Sequence, residues 1–253
     1  MGEHVAPTTP AKKKRSNIFW NIVGVVGELL ITFAIIVGLF SVWQLYWTTY
    51  QVSGQVSQTI ASYEEEHQPS KRTLGEVRTD DPPAFDREVG DGEVYGIVHV
   101  PTWDWMKIPL AEGTTSYVLD QGWAGHYDMT TQPGGVGNFS VAGHRRTYGN
   151  NFRWIDRLTQ GDKVVVEVDD HYLVYSMVSS EIIDATDPTQ MRVVAPVIDD
   201  VSWSETPTER WMTMTTCHPE YGNWQRYIVH LKFESWTPKD TGVPAELVDE
   251  PQN

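Results

Sequence analysis

An apolar run near the N-terminus is the longest hydrophobic pattern in the chain. Residues 18–47 are predominantly apolar, and no charged residue occurs from Leu29 to the end of this run. At a helical rise of about 1.5 Å per residue, such a run crosses a hydrocarbon core of about 30 Å. It is too long for the core of a signal peptide, and no clear small-residue cleavage site follows it. We therefore predict one uncleaved transmembrane helix, a signal anchor, over residues 18–47.

The charges beside this run predict its orientation. Lys12, Lys13, Lys14 and Arg15 lie just before it, whereas polar uncharged residues follow it. Basic residues next to a membrane span remain on the cytoplasmic side. We expect residues 1–17 to form a cytoplasmic basic tail, and the chain beyond the helix to lie outside the cell membrane.

Two further segments carry little apolar periodicity. Residues 48–90 are rich in Gln, Ser and Thr and then in Pro and charged residues, which is typical of an extracytoplasmic linker. Residues 239–253 are rich in Pro, Asp and Glu and are expected to form a flexible acidic tail. These boundaries leave residues 91–238 as the folded domain.

Within that domain, polar and apolar positions alternate in short stretches. The alternation predicts a strand at residues 93–100, a hairpin over residues 163–178 that turns at two adjacent aspartates, and a strand at residues 227–234. Only residues 151–158 indicate a short helix. Many short strands separated by turns are typical of an all-β domain that forms a closed or nearly closed barrel.

The composition narrows the classes of function. The 253 residues include 34 acidic and 19 basic ones, so the formal net charge is −15. Such a chain lacks the basic face that binds phosphate backbones, and we exclude nucleic acid as a partner. The single cysteine, Cys217, excludes an internal disulfide and a zinc site with several cysteines. No cluster of residues stands out as a metal site, and we predict neither a metal nor a cofactor.

The single cysteine lies in a pattern that favours a nucleophile. A strand-like run ends at Cys217, a loop of eight residues follows, and Arg226 begins the next predicted strand. Antiparallel pairing of the two strands places both side chains at facing strand ends. A guanidinium in that position lowers the pKa of a thiol and stabilises an oxyanion. A buried, unreactive cysteine is the plainer interpretation, but an unpaired extracellular thiol is a liability without a use.

A cysteine nucleophile also needs an acid and base, usually a histidine. His144 follows a short strand of small residues, which suits a side chain displayed at a barrel rim. His218 directly follows Cys217 and is expected on the opposite face of an extended chain. Spacing favours His144 over His126 as the base. The remaining histidines are assigned to the tail (His4), the linker (His67), a structural strand position (His99) and the solvated surface (His171, His230).

Together these motifs resemble the signature of the sortase family. Residues 213–217 read Thr-Met-Thr-Thr-Cys and match the Thr-Leu-x-Thr-Cys motif of sortases, with Arg226 following after eight residues. Residues 133–149, which include His144, match the histidine segment of the family. Three further segments are similar to those of class E sortases, the housekeeping enzymes of actinobacteria: residues 27–32, 125–127 and 217–219.

The resemblance implies a fold and a set of roles. The fold is a closed eight-stranded sortase-type β-barrel with short helices, preceded by one N-terminal transmembrane helix, and residues 91–238 are the catalytic domain. Cys217, His144 and Arg226 are the catalytic residues of a cysteine transpeptidase that forms a thioacyl-enzyme and cleaves its substrate between Thr and Gly. Four more residues are expected to bind substrate or to support the site: Thr215, Thr216, His126 and His218.

The resemblance also implies the partners of a Gram-positive cell-surface enzyme. The donors are secreted proteins that carry a C-terminal sorting signal of the LAXTG or LPXTG type. The acceptor is an amine of lipid II or of another peptidoglycan precursor. The chain itself contacts the membrane through its single helix.

Two other functions remain open at this point. One is a sortase that polymerises pilins and uses a lysine of another protein as acceptor. The other is a non-enzymatic, membrane-anchored domain that binds the cell wall and has an incidental cysteine. Other cysteine enzymes of the cell wall fit less well. The Ser-His-Gly-Cys-Arg motif of L,D-transpeptidases is absent, and NlpC/P60-like hydrolases place the cysteine before the histidine.

Overall fold

The computed structural model describes residues 18–251, so the predicted basic tail at residues 1–17 lies outside the described residues. The chain divides after Gln44 into two compact units. In the first unit lies the N-terminal part of a long helix, α1 (Ile18–Glu66). Its segment Phe19–Trp43 is long and apolar enough to cross a membrane, judged by length and composition, and none of it is buried.

The second unit contains a closed β-barrel, as the resemblance implied. Its strands are β1 (Val94–Val100), β2 (Met106–Glu112), β3 (Ala124–His126), β4 (Gly137–Ala142), β5 (Lys163–Val168), β6 (His171–Asp184), β7 (Arg210–His218) and β8 (Gln225–Pro238). Neighbours around the barrel follow the order β1, β2, β3, β4, β7, β8, β6, β5. Strands β2 and β3 are parallel, as are β4 and β7, and the other pairs are antiparallel. A short helix, α2 (Ser116–Leu119), precedes β3.

The interior of the barrel is filled by the apolar positions of the alternating strands. In β7 the side chains of Met212 and Met214 point inward, and both are fully buried in the main core. Successive side chains of a strand point to opposite faces, so Thr215 and Cys217 face away from the interior. The inward positions predicted for β8 also contact the core: Tyr227, Val229, Leu231 and Phe233.

The segment predicted as a linker packs on the barrel in part. Helix α1 continues to Glu66, and its residues Val52 and Tyr63 are buried. The hydroxyl of Tyr63 donates to the main-chain carbonyl of Tyr95 in β1 at 3.2 Å. Residues 48–90 are therefore not a free tether. So few apolar residues make the contact that the sequence shows no periodic pattern.

The C-terminal segment differs from its prediction as a flexible acidic tail. Val243 and Leu247 are buried in a small cluster with residues of β5 and β6, and Glu250 is buried as well. A parallel β-bridge joins Val243 to Leu74 in the segment after α1. The apolar residues of this segment are isolated between acidic ones, which is why its composition indicated disorder; residues 252–253 lie outside the described residues.

Two histidines expected on the surface are buried instead. His230 faces outward from β8, as the alternation predicted, yet it is 4% exposed. Its ring nitrogens lie 2.9 Å from the hydroxyl of Thr213 and 3.4 Å from the carboxylate of Glu181. His171 is 3% exposed. Alternation predicts the face of a strand but not whether loops or neighbouring side chains cover that face.

Candidate active site

The outward face at the end of β7 brings together the residues predicted from the cysteine motif. The register pairs Cys217 with Arg226 at the start of β8, as the hairpin spacing predicted. Directly opposed residues in an antiparallel ladder have Cβ atoms about 4.5–5.5 Å apart. The thiol of Cys217 is half-buried. The side chain of Arg226 therefore starts directly opposite Cys217. The thiol remains partly accessible to a ligand.

The other neighbour of β7 is the parallel strand β4, which ends next to the cysteine. The two strands pair in register up to the last residue of β4. Just beyond, the hydroxyl of Thr216 donates to the carbonyl of Gly143 at 2.6 Å and continues this alignment. His144 follows two residues after the end of β4, and Cys217 lies two residues beyond the last paired position of β7, Thr215. The strand that leads to His144 therefore lies on one side of β7, and the strand that carries Arg226 lies on the other.

The imidazole of His144 is held by a carboxylate. Its Nε2 lies 2.8 Å from Oδ1 of Asp120, and its ring lies 5.3 Å from that of Tyr148. Asp120 caps the C-terminal end of α2. A carboxylate in this position fixes the orientation of the ring. With Nε2 engaged, Nδ1 is the nitrogen that has no hydrogen-bond partner within residues 18–251.

The guanidinium of Arg226 is fixed by the loop between β7 and β8. Its Nη1 donates to the main-chain carbonyls of Asn223 at 2.7 Å and Gln225 at 2.9 Å. Both bonds use one terminal nitrogen, and a guanidinium carries five N–H donors. Donors on Nε and Nη2 can therefore bind an oxyanion that forms near the thiol.

Tyr127 lies against both of these groups. It follows β3, and its hydroxyl forms a hydrogen bond of 2.9 Å with the hydroxyl of Thr215. Burial raises the pKa of Tyr127, the charge of Arg226 opposes that shift, and Cys217 adds to it. Tyr127 also packs with Trp203 against an outer apolar cluster, made by Ile183, Val193, Val194 and Ile228. This cluster and the reactive residues share the outward face of the barrel.

A comparison with known protein families decides the identity of this fold and site. A profile of the sortase domain matches residues 98–234, which is more than half of the chain and includes all of β4, β7 and the start of β8. The chain belongs to the sortase family. Members of this family are cysteine transpeptidases.

Relatives of this sortase include class E enzymes, as the sequence resemblance indicated. Sortase SrtE1 of Streptomyces coelicolor is 35% identical over 88% of this chain, and the matched part spans 60% of the length of SrtE1. Sortase SrtE2 of the same organism is 29% identical, over 86% of this chain and 84% of SrtE2. The sortase is therefore similar to actinobacterial enzymes of this class.

Solved sortase structures are also similar to this chain. The SrtA sortase from Actinomyces oris is 43% identical to this sortase, with a TM-score of 0.64 over 70% of this chain and 99% of that chain. Sortase E1 from Streptomyces coelicolor, solved with a tripeptide in its active site, is 37% identical with a TM-score of 0.55, over 63% of this chain and 99% of that chain.

The other residues predicted for the site of this sortase lie in different surroundings. His126 is fully buried, and its ring nitrogens lie 2.8 Å from the carboxylate of Glu112 and 3.1 Å from the carbonyl of Thr131. It therefore stabilises the barrel wall and does not face a ligand. His218 points to the face opposite Cys217, as predicted.

The surroundings of His218 are basic. Its Nδ1 lies 2.9 Å from Nη1 of Arg145, and burial followed by the charge of Arg145 lowers the pKa of His218. The two predicted threonines are close to the reactive groups. Thr216 fixes the exit of β4, and Thr215 holds Tyr127.

Two residues of the site were missed in the sequence. Asp120 lies 24 residues before His144, and no spacing rule connects a carboxylate after a short helix with a histidine at the end of a later strand. Tyr127 lies within residues 125–127, the segment that carried the resemblance to class E, and that was the one available signal. Among residues 18–251 no group of three or more His, Cys, Asp or Glu side chains is arranged to hold a metal ion.

Proposed function

We propose that this sortase is a membrane-anchored cysteine transpeptidase. It cleaves a C-terminal sorting signal of the LAXTG or LPXTG type between Thr and Gly, and it joins the protein to an amine of a cell-wall precursor such as lipid II. The observation that carries the proposal is the position of Cys217 on β7, between His144 after β4 and Arg226 on β8. Main-chain pairing sets the positions of Cys217 and Arg226, and His144 follows two residues after the strand that pairs with β7 on its other side.

The first half-reaction uses all three groups. His144 takes the proton of the Cys217 thiol as the sulfur attacks the carbonyl carbon of the threonine, and the carbonyl oxygen becomes an oxyanion beside the donors on Nε and Nη2 of Arg226. The C–N bond to glycine then breaks, and His144 gives its proton to the leaving amine. The products are a thioester on Cys217 and a peptide that begins with glycine.

The second half-reaction reverses the proton transfers. An amine of the precursor attacks the thioester carbonyl, and the neutral His144 accepts a proton from that amine. The C–S bond breaks, a new amide forms, and His144 returns the proton to the sulfur, which restores the thiol of Cys217. Asp120 acts through His144, because its carboxylate orients the ring.

The outer face of β7 and β8 supports the substrate assignment. The apolar cluster under Tyr127 and Trp203 lies on the same face as Cys217 and offers a surface for the apolar residues that begin the signal. Residues 91–238, which hold this face, are proposed as the catalytic domain. The tripeptide in the active site of sortase E1 from Streptomyces coelicolor supports peptide binding in this family.

The proposed location is the cell membrane. Phe19–Trp43 supports a single span, and the basic residues at positions 12–15 support an N-terminus in the cytoplasm and a catalytic domain outside. Donor proteins leave the cell before they are anchored, and lipid-linked precursors face the same side. The orientation therefore brings both substrates to Cys217.

The test is formation of the thioacyl-enzyme on the full chain in detergent. The protein is incubated with a Leu-Ala-Asn-Thr-Gly peptide, a Leu-Pro-Asn-Thr-Gly peptide or neither, and a small amine is added in half of the samples. Intact-mass spectrometry then measures the thioester adduct and the amide product. Because Cys217 is the sole cysteine, the adduct needs no mapping.

We expect an adduct that depends on the peptide, is absent in Cys217→Ala and is reduced by a factor of about 10²–10⁴ in rate in His144→Ala. The preferred peptide identifies the signal. A lysine-bearing pilin-like acceptor that outcompetes the precursor amine would favour the pilin-polymerising function instead. If Cys217 forms no adduct with either peptide and does not react with iodoacetamide, the transpeptidase function is refuted and an anchored cell-wall-binding domain is favoured.

A further inference from the structure

The loop and turn that follow His144 form a basic segment in an acidic protein. Residues 145–157 contain four of the eleven arginines of the chain, and their one acidic residue is Asp156. The formal net charge of the whole chain is −15, so this concentration of positive charge is local. A local basic segment in an acidic domain indicates an anionic ligand more strongly than the same arginines in a basic protein.

Two of these arginines line one cavity. It has a volume of about 480 Å³ and lies between helix α1 and the loop after β4. Its polar lining includes Tyr50, Ser53, Arg146, Asn150, Arg153 and Tyr221. The loop reverses sharply in this region, with Tyr148 and Asn150 both at positive φ. That backbone course brings residues 146 and 153, which are seven apart, to the same wall.

The guanidinium of Arg153 is available to a ligand. It stacks on the ring of Trp154 at 3.8 Å, and it has no ion-pair partner within residues 18–251. Arg146 is partly neutralised, since it forms an ion pair with Glu220 and stacks over Tyr221 at 4.7 Å. The Nε atoms of both arginines are buried and have no hydrogen-bond acceptor among the described residues. Two buried N–H donors without acceptors indicate a ligand rich in oxygen atoms.

The chain itself keeps this cavity close to the proposed membrane span. Tyr50 and Ser53 follow Trp43, the last residue of the apolar segment, by seven and ten residues. A chain of seven residues spans at most about 25 Å when fully extended and about 10 Å when helical. The length of this connection therefore permits the cavity to reach lipid headgroups at the end of the proposed anchor.

From the charge, the buried donors and this distance, we propose that the cavity of Arg146 and Arg153 binds the phosphate group of an anionic membrane lipid. Guanidinium groups bind phosphate through paired hydrogen bonds, and their forked geometry suits its oxygens better than a point charge does. Two lipids supply this chemistry, namely a bulk anionic phospholipid and the polyprenyl diphosphate that carries a cell-wall precursor.

The position of the cavity connects this ligand with the reaction. Arg146 is two residues from His144, and Tyr221 lies four residues after Cys217 in the loop between β7 and β8. A lipid phosphate held there keeps the membrane surface beside the face from which the acceptor amine must arrive. The inference thus deepens the proposed function by assigning part of the acceptor side, and it rests on that function.

The test measures lipid retention by the full chain in a nonionic detergent, with native mass spectrometry. The probes are phosphatidylglycerol, a polyprenyl diphosphate and the zwitterionic phosphatidylcholine, each at the same concentration, with inorganic pyrophosphate as a competitor. We expect one anionic lipid to be retained in preference to phosphatidylcholine and to be displaced by pyrophosphate. Arg153→Gln should weaken that retention by about tenfold, the loss of one charge-assisted contact.

Arg157→Gln is the matched control. Arg157 stacks on the same ring of Trp154 at 4.8 Å, yet it does not line the cavity. The substitution Arg157→Gln removes the same charge from the same segment as Arg153→Gln does. Because Arg157 does not line the cavity, lipid retention should stay at the wild-type level. Arg153→Lys keeps the charge and should recover part of the binding. Equal retention of all three lipids, or equal losses in Arg153→Gln and Arg157→Gln, would overturn the proposal.

The same preparations separate this inference from the proposed function. Thioacyl formation with the sorting peptide and a soluble amine depends on Cys217 and not on the cavity, so Arg153→Gln should leave it unchanged. Retention of the lipid without thioacyl formation would refute the transpeptidase and leave the lipid site. Thioacyl formation without selective lipid retention would refute the lipid site and leave the transpeptidase.

Discussion

The carboxylate of Glu250 provides a sharp test of how the C-terminal segment is held. One of its oxygens lies 2.9 Å from Nδ1 of His99, and the other lies 3.1 Å from Nζ of Lys107 and 3.6 Å from the guanidinium of Arg72. Its side chain is 2% exposed. This carboxylate joins the C-terminal segment to β1, to β2 and to the segment after α1.

The variant Glu250→Gln removes the negative charge and keeps the shape of the side chain. Removing one partner of a buried ion pair costs about 3–5 kcal/mol, because the remaining charge is left uncompensated. Here His99 keeps Glu167 at 2.8 Å, and Lys107 keeps Glu64 at 2.6 Å. We therefore expect the lower end, about 3 kcal/mol, which lowers Tm by roughly 6–12 °C for a domain of about 150–250 residues.

The assay is thermal unfolding of the full chain in detergent, followed by tryptophan fluorescence, which reports on Trp103 and Trp236 in the barrel core. Asp249→Asn is the matched control, since Asp249 is the exposed neighbour of Glu250 and carries the same charge. Its Tm should change by less than about 2 °C. Equal Tm values for the two variants would show that the segment is not held by this cluster.

The pH dependence of stability tests the same cluster. Burial alone would lower the pKa of His99, but hydrogen bonds to Glu167 and Glu250 outweigh burial and raise it. Burial also opposes ionisation of Glu167, yet His99 and Lys239 hold its pKa at about 2. His99 stabilises the fold below its unfolded pKa of about 6.5, and this contribution is lost as pH rises through the raised folded pKa.

Glu167 has the opposite dependence. It stabilises the fold above its unfolded pKa of about 4.3, and the contribution, about 3 kcal/mol, is lost as pH falls toward 2. From this cluster, Tm measured between pH 3 and 9 should therefore peak between about pH 4.3 and 6.5. In Glu250→Gln the fall on the alkaline side should be smaller and should end at lower pH, because His99 has lost one of the two carboxylates that raise its folded pKa. An unchanged alkaline side would contradict the assigned pairing.

Two further predictions concern the reactive residues. Asp120→Asn should lower kcat about tenfold or more and change KM for the sorting peptide little, because an amide orients the ring of His144 less firmly than the carboxylate does; steady-state kinetics check this, and an unchanged kcat would contradict it. Thr216→Val should lower Tm by roughly 2–4 °C and also lower kcat, because the lost hydrogen bond, worth about 1 kcal/mol, aligns the exit of β4 with β7; a change in Tm alone would mean a purely structural role.

The fold was predictable where local patterns decide it. The barrel follows from the alternation within each strand, and the pairing of Cys217 with Arg226 follows from one hairpin loop. The docked parts of residues 48–90 and 239–253 were not predictable from the same patterns. These parts pack on the barrel through isolated buried residues such as Val52, Tyr63 and Val243. Isolated apolar residues produce no periodic hydrophobic pattern in the sequence.

The residues of the candidate site also fall into a part that the sequence predicted and a part that it did not. The sequence favoured His144 because small residues precede it at a strand end, and the structure pairs that strand with β7 up to Thr215, two residues before Cys217. Asp120 depends on the parallel pairing of β2 with β3 and of β4 with β7, which connects segments far apart in the chain. His126 was a reasonable candidate from its type alone. Its burial against Glu112 results from packing that no single strand reveals.

The part of α1 after Gln44 connects the stability of the barrel with the proposed acceptor side. Tyr63 donates a hydrogen bond to β1, and Glu64 forms an ion pair with Lys107. Tyr50 lines the basic cavity. A chain that begins at residue 91 lacks all three but keeps β4, β7 and β8. We therefore expect such a truncated domain, once folded, to form the proposed thioacyl-enzyme with a soluble peptide, although it has lost one wall of the proposed lipid site. Activity measured on it tests the proposed donor half-reaction, and only the full chain tests the proposed transfer to a lipid-linked acceptor.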